Sequence, residues 1–126
     1  MKKVIQLILF SVILVSCTTT RQSSTISSNY WNIPPDLTQI VYDGGDGSSF
    51  ESAIIIKNAI TTRDGIAAEY AYIEHKHGEK FKDWKLIGQA TNMLNGKRYD
   101  FVSIQIISDN TTEKYIFDVT DFYGKW

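Results

Sequence analysis

Cysteine is nearly absent from this 126-residue chain: Cys17 is the only one, so no intrachain disulfide can form. A folded part must therefore stand on its hydrophobic core alone. Proline is as scarce, with Pro34 and Pro35 side by side and none later. No apolar run reaches the roughly 20 residues that a membrane-spanning helix needs. An excess of positive charge is missing too, since 13 Lys and Arg face 14 Asp and Glu. With no basic block beyond Lys97-Arg98, nucleic acid is excluded as a partner. The two histidines, His75 and His77, lack the spacing of four that lets one helix face chelate a metal, and no Gly-x-Ser-x-Gly elbow is present.

What is present begins at the N-terminus. Lys2 and Lys3 precede Val4 to Val15, an apolar stretch interrupted only by Gln6 and Ser11, and then come Ser16 and Cys17. A positive start followed by a short apolar segment is the pattern of a secretory signal. Leu14-Val15-Ser16-Cys17 resembles the lipobox of bacterial lipoproteins. That resemblance implies cleavage before Cys17, a diacylglyceryl thioether on its sulfur, and life on a membrane surface outside the cytoplasm. Several acyl chains hold a protein almost permanently, whereas one binds marginally at about 0.8 kcal/mol per buried methylene. In Gram-negative lipoproteins an Asp after the lipidated cysteine often retains the protein in the inner membrane. Thr18 stands there, which favours the outer membrane.

Residues 1–16 are thus expected to be a signal peptide. The lipidated Cys17 and a Ser/Thr-rich tether span 17–29, and one domain spans 30–126. Without residues 1–16 the chain has 110 residues and eleven basic against fourteen acidic side chains, a net charge of −3. Residues 18–29 are polar and low in complexity, a composition that cannot bury enough surface to order itself.

Within the domain, Leu37 to Tyr42 suggests an edge strand, and Asp43 to Ser49, with three glycines, a loop. Ala53 to Lys57 is a β-branched run expected to be a buried strand. A helix is expected from Asp64, as N-cap, to His77, with Gly78 at C′. Its apolar face would be Ile66, Tyr70, Ile73 and His77, flanked by Ala67 and Ala71. Three strands then follow, Trp84 to Leu94, Arg98 to Ile107 and Lys114 to Thr120. Asn95-Gly96 joins the first two as a tight hairpin. The order β-α-β-β-β implies an α+β, two-layer domain, an antiparallel sheet with one main helix packed on one face. Val102, Ile104 and Ile106 alternate with Tyr99 and Phe101, so both sheet faces carry apolar residues. Residues 30–42 and Phe122 to Trp126 would cover the second face; left uncovered, it would be an aromatic surface meant for a partner.

Three sets of residues are candidates for chemistry. Asp43 and Asp46 on the glycine-rich loop offer oxygens to Ca²⁺, although the spacing is not that of an EF-hand. His75 and His77, with Glu79 and Asp83, carry ligand types suited to Zn²⁺, but residues two apart on a helix point about 200° apart. Trp84, Tyr99, Phe101 and Trp126 are candidates for partner contact, because aromatics bind sugars by stacking and serve as protein hot spots. The globular part resembles the small lipoproteins of bacterial envelopes. The reading is a lipid-anchored, non-catalytic module that binds an envelope protein or glycan, with no cofactor beyond the covalent lipid on Cys17. A Ca²⁺- or Zn²⁺-binding lipoprotein is the alternative, and a small hydrolase the third.

Overall fold

The computed structural model describes residues 35–126. Among them it contains β1 (Val41–Gly44), β2 (Ile54–Lys57), α1 (Thr62–His77), β3 (Trp84–Leu94), β4 (Lys97–Ile106) and β5 (Thr112–Asp118). The domain is α+β, with one helix and a five-stranded sheet in the order β1-β2-β5-β4-β3. Every neighbouring pair is antiparallel except β2 and β5, which run parallel at Ile54↔Phe117 and Ile55↔Asp118. The wholly antiparallel sheet expected from sequence is corrected there, because α1, β3 and β4 together form the crossover that carries the chain from β2 to the parallel β5.

The Asn95-Gly96 hairpin forms as expected. Asn95 and Gly96 have φ of 51° and 75°, the two positive values a type I′ turn requires. β4 pairs with β3 on one side and β5 on the other, with Val102 opposite Tyr115 and Phe101 opposite Ile116. Opposed residues share a face, so the alternation read from the sequence holds. Ile54, Ile56, Val102, Ile104, Tyr115 and Phe117 are buried in one cluster with Ala68 and Ile73 of α1. Trp84 is wholly buried in that cluster and donates its indole N–H to the Gly78 carbonyl at 3.0 Å. On β3 a bulge between Leu86 and Gly88 shifts the register. The extra residue, Ile87, reverses the parity, which puts Leu86 and Gln89 on the same face.

The first strand departs from expectation. β1 runs from Val41 into the glycine-rich segment as far as Gly44, while Leu37 and Ile40 pack against the core ahead of it. Asp43 is therefore a strand residue, tied to Lys57 of β2 at 2.7 Å.

The helix begins earlier than expected and is turned about its axis. Thr61 is the N-cap, and Asp64 is the third helical residue of a capping box: Thr61 Oγ1 accepts from the Asp64 N–H at 3.2 Å, and Asp64 Oδ2 accepts from the Thr61 N–H at 3.2 Å. The buried positions are Thr62, Asp64, Gly65, Ala68, Glu69 and Ile73, while Ile66 is exposed. Of the expected face only Ile73 is buried, and the face is rotated by about one residue. Small residues explain the rotation. A Cβ on Gly65 would run into the ring of Phe122, so the glycine is what lets that ring reach the helix. One turn later, the Tyr42 hydroxyl donates to the Ala68 carbonyl at 2.7 Å. Tyr72 meets Tyr42, Tyr115 and Phe117 at centroid distances of 5.3, 6.1 and 5.8 Å.

The C-terminal segment goes to the start of the helix, not to the second sheet face. The Thr62 N–H donates to the Lys125 carbonyl at 2.7 Å, and the Gly124 N–H donates to Thr62 Oγ1 at 3.0 Å. The second face is covered from elsewhere. Phe50, from the β1–β2 loop, lies edge-on to Tyr99 at 5.1 Å and to Phe101 at 5.5 Å. Residues 30–34 of the expected covering segment lie outside the described residues, as do the expected signal peptide at 1–16, Cys17 and the expected tether to residue 29.

Candidate functional site

The expected site residues do not converge. Asp46 accepts from the Ser48 N–H at 3.0 Å and from the Ser48 hydroxyl at 2.7 Å. Those bonds hold the Asp46 carboxyl below the usual carboxylate range, and Lys57 does the same for Asp43. Both acids are thus engaged in shaping the loop and the β1–β2 pair. His75 is exposed near the end of α1, and His77 Nε2 sits 2.6 Å from the Tyr115 hydroxyl. Among the described residues no three His, Cys, Asp or Glu side chains cluster closely enough to hold a metal ion.

The four aromatic candidates are divided. Trp84 is wholly buried, so it offers no surface. Tyr99 is buried and Phe101 half-buried beneath Phe50. Trp126 is 94% exposed. On the same C-terminal segment, the Tyr123 ring centroid lies 3.9 Å from the Arg98 guanidinium, a stacked cation–π pair. Two hollows flank this side of the sheet. One, of about 120 Å³, lies between Gly47, Ser48, Ser103 and Lys114. The other, of about 380 Å³, lies between Lys57, Asn58, Lys97 and Asp121, where Lys97 pairs with the buried Asp118 at 3.5 Å.

Two features escaped the sequence reading. The first is a pair of buried acids between α1 and the sheet, Glu69 and Asp100. Asp100 accepts from the Thr91 hydroxyl in a short bond and from Gln89 Nε2 at 3.4 Å. Gln89 Nε2 also lies 3.3 Å from Glu69 Oε2, and Gln89 Oε1 accepts from the Tyr70 hydroxyl at 2.8 Å. Glu69 Oε1 is buried with no hydrogen-bond partner. Burial pushes the Glu69 carboxyl up to about 10, helped by the negative charge of Asp100 and by a hydrogen bond to it. With its carboxyl held that high by burial, Glu69 is protonated at neutral pH. Nothing in the sequence marked this acid, since a Glu in an amphipathic helix reads as a solvent-facing residue.

The second feature is the outer edge of β3. Apart from a single bridge between Trp84 and Lys80, this eleven-residue strand pairs with β4 alone among the described residues, and Gln89 to Leu94 are all exposed. From Leu86 to Leu94 it carries no charge. Ile87 is 51% exposed, Met93 64% and Leu94 40%. Folded proteins blunt such edges with charges, prolines or bulges. Here the bulge at Ile87 protects only the first half. The signal was available in the uncharged run Gln-Ala-Thr-Asn-Met-Leu, but whether it edged the sheet depended on strand order.

No protein-family description, no curated protein and no solved structure matches this chain.

Proposed function

We propose that the chain is a lipid-anchored binding module of a bacterial envelope. It is held to the membrane through the acylated Cys17 and takes up an extended segment of an envelope protein along the free edge of β3. The observation that carries this reading is the uncharged, exposed second half of β3, whose outer side has no strand partner among the described residues. A peptide added there gains main-chain hydrogen bonds, with alternate side chains contributing specificity. In this arrangement α1 forms a single layer over one face of the sheet, a two-layer domain that leaves the β3 edge free. A protein segment fits better than a glycan, because Phe50 closes over the aromatic platform of Tyr99 and Phe101 on which a sugar would stack. The role is non-catalytic and calls for no cofactor beyond the lipid, and Thr18 favours the outer membrane of a Gram-negative cell.

A photo-crosslinking residue at Met93 of the full chain, in native envelopes, tests the edge. A control carries the same residue at Asp109, in the β4–β5 turn. The expected outcome is one crosslinked protein from Met93 and none from Asp109. No crosslink from Met93 in correctly localised protein refutes the edge as the binding surface. Separately, incorporation of labelled fatty acid should disappear in Cys17→Ala; label that persists in this variant removes the anchor.

A further inference from the structure

Between α1 and β3 the chain passes through a tightly bonded turn. The Glu79 N–H donates to Asp83 Oδ2 at 2.7 Å, and the Asp83 N–H returns to the Glu79 carbonyl at 2.8 Å. The Phe81 N–H donates to the Trp84 carbonyl at 2.7 Å. At the tip Phe81 is 78% exposed and has a φ of 70°. For a bulky residue that conformation is a true outlier. Phe81 therefore gives the fold neither a relaxed backbone nor much buried surface, and outliers of this kind point to function.

Its surroundings indicate what it meets. Lys80 and Lys82 flank it in sequence. Lys80 Nζ stands 4.1 Å from the Tyr70 ring centroid and 5.2 Å from that of Phe81, so its charge is held beside the exposed ring. Two acids stand nearby, and neither locks a lysine in place, since the Glu79–Lys82 pair is solvated and weak. Asp83 caps the Glu79 N–H, and Glu79 lies 3.9 Å from Lys82. Ile107, 40% exposed, is tied to the turn by its N–H to the Asp83 carbonyl at 2.9 Å.

An aromatic ring presented between lysines suits the boundary of a lipid bilayer, where rings settle at the headgroup level and ammonium groups meet phosphates. We propose that the Phe81 turn is a second membrane contact. Phe81 enters the interface of the bilayer that holds Cys17, and Lys80 and Lys82 bind lipid phosphates. The proposal rests on the lipid-anchor reading. The chain from Cys17 to Pro35 reaches at most about 65 Å when fully extended. The turn thus meets the bilayer as an intramolecular partner, and a weak contact suffices.

The test uses the full acylated chain, Phe81→Trp, in phosphatidylglycerol-containing vesicles whose acyl chains carry bromine. Emission added over the background of Trp31, Trp84 and Trp126 should be lost to the quencher. Adding Lys80→Ser and Lys82→Ser should lower the ratio of docked to free turn by about fivefold per lysine. Added emission that escapes quenching, while mass measurement shows acyl chains on Cys17, overturns the membrane contact and leaves the anchor standing. Absence of acyl chains on Cys17 in protein taken from native envelopes removes the anchor reading and overturns this second contact with it. A shift in emission that follows protein concentration rather than lipid would assign the turn to self-association and overturn the proposal.

Discussion

Replacing Glu69 by Gln should stabilise this domain at neutral pH, and the size of the effect follows from proton binding. In the unfolded chain Glu69 titrates at its ordinary value of 4.5, and in the folded protein it stays protonated up to about 10. Between those values the native state holds a proton that the unfolded state has released. Stability attributable to this group is therefore fully present below pH 4.5 and is lost as pH rises towards 10. At pH 7 the cost is about 2.5 pH units' worth of proton binding, on the order of 3 kcal/mol. That figure does not depend on the folded-state value, provided it lies well above 7. Glutamine has nearly the same shape and is neutral throughout. Its amide can donate to Asp100 as the protonated acid does, at a penalty of about 1 kcal/mol for one imperfect hydrogen bond. The net expectation is a gain of about 2 kcal/mol at pH 7. The assay is urea unfolding of wild type and Glu69→Gln at intervals from pH 5.5 to 9, followed by tryptophan fluorescence. Both proteins are identical at every other position, so the difference isolates residue 69. That difference should grow by about 1.4 kcal/mol per pH unit. A flat difference, or a variant less stable at pH 7, would show that Glu69 is ionised in the fold and would refute the reasoning.

Three other substitutions probe separate parts of the structure. Gly65→Ala should lower stability by about 1–3 kcal/mol, because the new Cβ meets the Phe122 ring and either the helix or that ring must shift; unchanged thermal stability would mean that the C-terminal segment is not packed there. Thr61→Ala should cost about 1 kcal/mol through the lost cap on the Asp64 N–H, read as a lower urea midpoint at unchanged slope. Phe81→Gly should be neutral or raise stability by about 1 kcal/mol, since glycine accepts the positive φ without strain. A clear destabilisation would give Phe81 a structural role and weaken its assignment to the bilayer.

Much of the fold was legible locally. The Asn95-Gly96 hairpin, the alternation of β4 and the run Ile54–Lys57 each depend on residues adjacent in sequence, where periodicity and turn chemistry are decisive. The helix was legible in existence but not in orientation. Ile66, Tyr70 and Ala71 form an apolar stripe, yet Gly65, Ala68 and Glu69 face the core. The side that allowed Phe122 and Tyr42 to approach was chosen over the more apolar one. The carboxyl pair was invisible for the same reason: its partners lie on β3, β4 and α1, and its protonation depends on burial that only assembly creates.

By itself the sequence determined the signal-like N-terminus with its single cysteine, the exclusion of disulfides, the α+β class and the β-α-β-β-β order, because these depend on composition and short-range periodicity. Tertiary structure decided the parallel β2–β5 junction, the exposure of the β3 edge, the proton on Glu69 and the burial of Trp84 and Tyr99. Each of these is set by which strands become neighbours, a choice made by long-range packing that no stretch of the chain encodes alone.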